Sequence, residues 1–225
     1  MIERLVKNKM PRTQIQNEEI REERKKQIIH SGLELFANNG FHNTSISQIA
    51  KQAKISKGLM YNYFSGKGDL LKTIFCDIME NVMDKLNPNH DNEIDDNEVE
   101  DFVDNMFNIV IESPRDWKLY FQLMMQHEVM EFLMSENLMD KFAHNQKILF
   151  DYFADREFDD PIVDILHFSS VYKGFALQYV FAPELFNNDD IERFKNRIKQ
   201  IFVKPKREKP NPNIQLDESI GYLLM

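Results

Sequence analysis

Apolar residues recur three and four positions apart along most of the chain, which is the spacing of one face of an α-helix. The spacing predicts a helix from about residue 17 that ends at Gly40, two short helices between residues 45 and 64, and a long helix over residues 67–86. Further helical stripes follow to about residue 203, and no segment alternates apolar and polar residues with the period of a strand. The chain is therefore predicted to be all-α.

The segment over residues 44–67 carries the signals of two short helices separated by a tight turn. Ser45 and Gln48 have the S-x-x-Q spacing of a capping box, which starts the first helix. Ser56 can cap the second helix, which is predicted over residues 57–64. Two helices joined in this way form a helix-turn-helix, a motif that places its second helix in the major groove of DNA.

The second short helix is predicted to expose a polar and aromatic face. Met60 and Phe64 lie four positions apart and should pack against the first helix. The residues left toward solvent or a ligand are Lys57, Gly58, Tyr61, Asn62 and Tyr63. Tyrosine and lysine side chains suit phosphate oxygens and base edges, and glycine lets the backbone approach a groove wall.

The pattern G-x₃-T-[ST]-x₃-I-A, followed by S-K-G-x-x-Y-x-Y-F and K-x-x-L-L, resembles the DNA-binding domain of the TetR family of bacterial transcriptional regulators. The matching residues are Gly40, Thr44, Ser45, Ile49, Ala50, Ser56, Lys57, Gly58, Tyr61, Tyr63, Phe64, Lys67, Leu70 and Leu71. The resemblance covers about residues 24–75. Two positions depart from the family pattern: Lys54 replaces the usual glycine of the turn, and Gly68 replaces an acidic residue early in the fourth helix.

This resemblance implies a homodimer that reads a palindromic operator in double-stranded DNA, most often as a repressor. Lys57, Tyr61 and Asn62 are then expected to contact bases, and Gly58 to allow close approach. The expected phosphate contacts are Thr44, Ser45, Tyr63 and Lys67.

The resemblance also implies a small-molecule effector that binds among the middle helices. The 18 phenylalanines and 12 methionines of the chain permit an adaptable cavity for a small apolar effector. The candidate walls are Trp117, Tyr120, Phe121, Met124, Met125, Phe150, His167 and Tyr172. The alternative for each of them is that it simply fills the core.

The last two helices are, by the same resemblance, the expected dimer interface. The first of them mixes small residues with aromatic ones, and the second carries a clean apolar stripe, so that helices from two chains could pack closely. The candidate interface residues are Phe168, Tyr172, Phe175, Tyr179, Phe194, Ile198 and Ile201. An ordinary intrachain core is the alternative.

The charge of the chain is divided between its two parts. Residues 1–75 hold 13 Lys and Arg against 7 Asp and Glu, whereas residues 76–225 hold 15 against 30. The net charge of −9 therefore separates into +6 and −15. Positive charge lies with the predicted DNA-binding part, as expected if only that part meets phosphates.

These patterns predict four regions: a flexible basic arm (1–17), the helix-turn-helix domain (18–66), a helical effector-binding and dimerisation domain (67–203) and a tail (204–225). No apolar run approaches the roughly 18 residues of a membrane span, and the amino terminus lacks the apolar core of a signal peptide. A cytoplasmic protein with no membrane partner is expected.

Catalysis is not expected. The six histidines show no metal-ligand spacing, and the sequence has neither a glycine-rich phosphate loop nor a nucleophile elbow, so no metal or cofactor is predicted. Two other functional classes stay open. One is a non-specific nucleoid-associated DNA binder without an effector, and the other is a helical protein-interaction module.

Overall fold

The computed structural model describes residues 14–89, 91, 93–136 and 138–208, and every regular element in these ranges is helical, which confirms the all-α prediction. The α-helices are α1 (Gln14–Asn39), α2 (Ile46–Gln52), α3 (Lys57–Met60), α4 (Lys67–Leu86), α5 (Asp96–Glu112), α6 (Pro114–Met124), α7 (His127–Ser135), α8 (Ala143–Ala154), α9 (Pro161–Phe181) and α10 (Asn188–Phe202). Short 3₁₀ helices cover Leu138–Phe142 and Pro183–Leu185. Residues 1–13 of the predicted arm and the tail beyond residue 208 lie outside the described residues.

We call residues 14–66 the head and residues 67–208 the body. In the head, α1 packs against α2, and α2 packs against α3. Helix α1 also packs against α4 and α6 of the body. The fully buried residues Phe36, Ile49, Met60 and Leu70 belong to one hydrophobic cluster that continues from the head into the body. The head is therefore seated on the body through apolar contacts.

The body is organised around α5 and α9. Helix α5 packs against α4, α9 and α10, and α9 packs against α6 and α8. Aromatic rings fill the interior: the ring centroids of Phe107 and Phe175 are 4.2 Å apart, and those of Phe168 and Phe202 are 4.8 Å apart. These close, tilted or edge-on contacts are the arrangements that aromatic pairs prefer.

The acidic residues at positions 95–98 form the start of α5. Asp95 accepts a hydrogen bond from the Glu98 amide at 2.8 Å, and its own amide donates to the Glu98 carboxylate at 2.9 Å. The next residue, Asp96, pairs at 2.6 Å with Arg156, whose side chain is 2% exposed. Carboxylates here cap a helix and neutralise a buried guanidinium.

The helix-turn-helix forms as predicted at its start and is shorter at its end. The Ser45–Gln48 capping box is present, and the Ser56 hydroxyl accepts from the Leu59 amide at 3.0 Å. The second helix was predicted to reach residue 64, but α3 ends at Met60. It ends because the next amides, of Asn62 and Tyr63, donate to carbonyls three residues back, which tightens the chain into turns.

Lys54 occupies a glycine position in the turn between α2 and α3. Its φ is +55°, and its amide donates to Lys51 O at 3.2 Å while the Ile55 amide donates to Ala50 O at 2.9 Å. This pair of bonds is the Schellman ending of a helix, in which the left-handed residue is usually glycine. Lys54 therefore adopts the conformation that the usual glycine of this turn would favour.

We expect Lys54→Gly to raise the free energy of unfolding by about 0.5–1 kcal/mol. Relief of a left-handed Cβ clash gains roughly 1–2 kcal/mol, and the greater freedom of glycine in the unfolded chain removes part of that gain. Lys51→Gly, which removes the same charge from the last turn of α2, should instead lower the free energy of unfolding by about 1 kcal/mol. Urea unfolding curves of the two variants give the comparison. Equal destabilisation by both would contradict the left-handed turn.

Candidate functional site

The outward surface of α3 and the turn after it brings together four of the predicted base-side residues. Lys57, Gly58, Tyr61 and Asn62 are all exposed, with Tyr61 50% exposed. The buried side chains of Met60 and Phe64 hold this segment against the rest of the head, as their spacing predicted. The recognition face is thus a set of solvent-facing polar and aromatic groups on a firmly packed support.

Leu59 adds an apolar side chain to this face that the sequence analysis missed. It is 37% exposed and lies beside the polar residues of α3. An exposed aliphatic group at this position suits the methyl group of thymine in a major groove. Its exposure could have been read from its position, because Leu59 falls outside the four-residue spacing of the buried pair, Met60 and Phe64.

Thr44 is not available for the phosphate contact predicted for its side chain. It is 2% exposed, and its hydroxyl lies 3.1 Å from Leu35 O and 2.9 Å from Gly40 O. The hydroxyl therefore satisfies carbonyls at the end of α1.

Ser45 is exposed, and its hydroxyl is engaged by Gln48 in the capping box. Tyr63 is half-buried and packs against the core.

Lys67 also has a different role from the phosphate contact predicted for it. Its ammonium group donates to three backbone carbonyls, Phe41 O at 2.9 Å, His42 O at 3.0 Å and Thr44 O at 3.3 Å. An ammonium has three protons, so these bonds use all of them. In this conformation Lys67, at the first position of α4, holds the loop between α1 and α2 in place.

The surface around α3 lies in a part of the sequence whose formally charged residues are all positive. From Leu35 to Gly68 the sequence holds four lysines and no acidic residue. Lys51, Lys54 and Lys57 are exposed around the turn. A surface of this kind attracts phosphates without regard to sequence, whereas Tyr61 and Asn62 can discriminate among base edges.

A cavity of about 90 Å³ lies in the body between α4, α5, α6, α8 and α9. Four predicted walls line it: Trp117, Tyr120, Phe121 and Tyr172. The Tyr172 hydroxyl donates to Met106 O at 3.2 Å. Burial raises the pKa of Tyr120 to about 12, so this phenol stays protonated at neutral pH.

The other four predicted walls do not line this cavity. Met125 is 76% exposed at the end of α6, and Met124 is half-buried against the core. Phe150 is buried in the core, and His167 is exposed with its ring 5.2 Å from that of Phe202. Walls that the sequence analysis missed are Ile78, Met79, Val82, Met83, Leu86, Phe102, Met106, Leu149, Phe168, Ser169 and Lys173.

Several predicted dimer-interface residues belong to the core of the single chain. Phe168, Phe175 and Ile198 are buried within the body, and Tyr172 lines the cavity. Tyr179 and Ile201 are half-buried and pack against the core, and Phe194 is partly exposed. The exposed apolar residues of α9 are instead Val163, Leu166, Leu177 and Phe181.

Helix α6 is joined to the head near both of its ends. At its start, Arg115 forms an ion pair with Glu34 of α1, and Glu34 also accepts from Gln52 of α2 at 2.7 Å. After its end, Gln126 donates to Phe36 O at 2.8 Å and accepts from the Phe41 amide at 3.0 Å. The same helix supplies three walls of the cavity.

Helix α7 strengthens this junction through an aromatic contact. The rings of Phe132 and Phe41 lie 5.7 Å apart. A Cβ atom at Gly68 would lie 3.0 Å from Phe132 Cζ, so the glycine at this position permits α4 and α7 to approach closely. Asp69, one position later, accepts from the Ser65 amide at 2.8 Å and supplies the acidic group at the start of α4.

No helix within the described part of the chain combines the length and apolar character needed to cross a membrane.

Residues 28–74 match the model of bacterial regulatory proteins of the tetR family. The chain is 50% identical over 50 residues to the HTH-type transcriptional regulator HbdR of Aromatoleum sp. (strain CIB), a segment that covers 22% of each protein. It is 38% identical over 60 residues to the fatty acid metabolism regulator protein of Bacillus subtilis, or 27% of this chain and 31% of that protein. The matched segments thus span less than a third of these relatives.

Solved structures extend the likeness to the whole fold. The fatty acid degradation regulator FadR of Bacillus halodurans aligns with a TM-score of 0.61 at 18% identity, over 80% of this chain and 94% of that chain. NalD of Pseudomonas aeruginosa, the secondary repressor of the MexAB-OprM multidrug efflux pump, aligns with a TM-score of 0.54 at 19% identity, over 82% and 98%. The matched amino-terminal domain and the helical fold are thus similar to those of the TetR family of bacterial transcriptional regulators.

Proposed function

We propose that the protein is a transcriptional repressor that binds a palindromic operator as a homodimer and leaves it when a small molecule occupies the body cavity. The observation that carries this proposal is the lysine-rich surface around α3, free of acidic residues, within the matched TetR domain. Lys57, Tyr61 and Asn62 are the proposed base contacts, beside the exposed backbone of Gly58. Ser45 and Tyr63 are the proposed phosphate contacts.

The proposed dimer forms through the outer face of α9 together with Phe194 of α10. Val163, Leu166, Leu177 and Phe181 expose apolar side chains along that face. Between them lies Gly174, where an added Cβ would meet nothing within 4 Å, so there is space for a partner helix. Covering this face removes apolar surface from water, which favours association.

The ligand signal is proposed to reach the head through α4 and α6. Both helices line the cavity. The loop between α1 and α2 is held by Lys67 of α4 and by Gln126, which lies between α6 and α7. A ligand that fills more than this cavity of about 90 Å³ would favour an arrangement with these helices further apart. It shifts the population away from the operator-binding arrangement only to the extent that it binds the separated arrangement more tightly.

We expect Tyr61→Ala and Lys57→Ala each to weaken binding to the operator by about tenfold, since a good base contact contributes roughly 1–3 kcal/mol. The operator is obtained by sequencing the genomic fragments that the purified protein enriches, and affinities are measured by gel retardation at fixed salt. Lys147→Ala, which removes an exposed lysine from α8, is the matched control. Full retention of binding by both head variants would reject this face. Equal retardation of every duplex would indicate a non-specific DNA binder.

We expect Phe181→Glu to convert the dimer into a monomer at micromolar concentration, because it buries a charge in the proposed interface. Phe181 is 51% exposed in the single chain, so the substitution should leave the fold intact. Met125→Glu, which places the same charge on an exposed apolar residue outside α9, should stay dimeric. Sedimentation velocity distinguishes these outcomes. A wild-type monomer, or a Phe181→Glu dimer, would contradict the α9 interface.

A further inference from the structure

The lining of the body cavity is apolar except at a few positions. Fifteen described residues line it, and among them Lys173 is the one with a formal charge. Lys173 follows Ser169 by four positions on α9, so both face the cavity from one side of the helix. The opposite walls, on α4 and α6, are aliphatic, methionine and aromatic side chains.

The surroundings of Lys173 penalise its positive charge. The side chain is partly buried, and this burial lowers the pKa of Lys173 below its ordinary value. A bound apolar molecule would exclude more water and increase the penalty. A ligand that carries a negative charge would instead offset it, because an ion pair recovers part of the desolvation cost.

Two hydroxyl groups of the lining, those of Tyr172 and Ser169, direct their protons to the backbone. Tyr172 donates to Met106 O at 3.2 Å, and Ser169 donates to Leu166 O at 3.1 Å. Each of these bonds satisfies a helix carbonyl, and breaking it would leave that carbonyl unpaired. Lys173 is therefore the described lining residue whose charge can pair with an anionic group.

The aromatic walls would by themselves suit a cationic ligand. Trp117, Tyr120 and Phe121 present the ring faces that bind quaternary ammonium groups. A second cation beside Lys173 would be repelled, however, and none of the fifteen described lining residues is acidic. A neutral ligand would bring no opposite charge to offset the cost of burying the Lys173 ammonium group. The lining thus favours an anionic ligand whose remaining part is apolar.

We propose that the cavity binds an apolar molecule carrying a single carboxylate, with Lys173 as the residue that pairs with it. The inference rests on the proposed function, since it names the ligand class of the same cavity. A cavity of about 90 Å³ would hold about six to nine waters, which is close to the size of hexanoate. Met79, Met83 and Met106 can change conformation to admit a longer chain.

Trp117 makes the test direct, because it is the sole tryptophan of the chain and lines the cavity. The full chain is titrated with hexanoate, 1-hexanol and hexyltrimethylammonium, and tryptophan fluorescence is recorded without DNA. Hexanoate should bind at least about tenfold more tightly than hexanol, and the ammonium compound should bind most weakly.

Variants of Lys173 complete the test. Lys173→Met should weaken hexanoate binding by about tenfold and leave hexanol binding unchanged, whereas Lys173→Arg should keep the preference for the carboxylate. Lys147→Met, which removes an exposed lysine that does not line the cavity, should change neither. The proposal is overturned if hexanoate does not bind, if it binds no better than hexanol, if the ammonium compound binds best, or if Lys173→Met retains the carboxylate preference.

The DNA measurements keep this inference separate from the proposed function. If hexanoate binds through Lys173 but does not change operator affinity, the ligand class stands and the regulatory role fails. If the operator variants behave as expected while hexanoate does not bind, only the ligand class fails.

Discussion

The hydrogen bonds of Gln126 join the body to the head at the point where α1 ends. One side-chain amide donates to Phe36 O and accepts from the Phe41 amide. Backbone groups at a helix end have no partner within the helix, so a side chain from elsewhere must satisfy them. Because this side chain comes from the junction of α6 and α7, the direction in which the chain leaves α1 depends on the position of body helices. Gly40, with φ +85°, makes the turn between the two bonded groups.

The loop after α1 is held from a second side by α4. Lys67 bonds to the carbonyls of Phe41, His42 and Thr44 and lies over the Phe41 ring at 4.7 Å. The loop leads directly into the Ser45 cap of α2, and α2 supports α3. Helices α4 and α6 also both line the cavity. A change in their separation would therefore act on the loop that orients the recognition helix, which is how the proposed ligand would alter DNA binding.

Local signals in the sequence predicted local structure well. The capping box at Ser45, the glycine end of α1 and the strained turn at Lys54 each depend on residues within a few positions, and each is present. The spacing of Met60 and Phe64 also identified the buried side of α3. Helix α7 was not predicted as a separate helix. Its apolar residues continue at helical spacing toward α8, and the segment between α7 and α8 contains no glycine or proline to mark a break.

Contacts between distant segments were beyond the sequence patterns. Thr44 and Lys67 are polar residues next to a predicted DNA surface, and only the fold shows that their protons are used by carbonyls of the α1–α2 loop. Similarly, periodicity gives the apolar face of each helix but not where neighbouring faces leave a gap. Of the candidate walls, Trp117 lines the cavity, whereas Met125 and His167 do not. Lys173 was a detectable signal, as the single lysine of a largely apolar helix.

The most direct test of this account is the operator affinity of the Gln126→Ala dimer, with Gln122→Ala, one turn earlier, as the matched control. Loss of the Gln126 hydrogen bonds to two backbone groups destabilises the arrangement of the head on the body by about 1–3 kcal/mol. Only molecules in that arrangement are competent to bind the operator, so the affinity falls with their population. The account predicts roughly tenfold weaker operator binding by Gln126→Ala, with affinity retained by Gln122→Ala. A folded Gln126→Ala dimer that binds the operator as tightly as the wild type would contradict it.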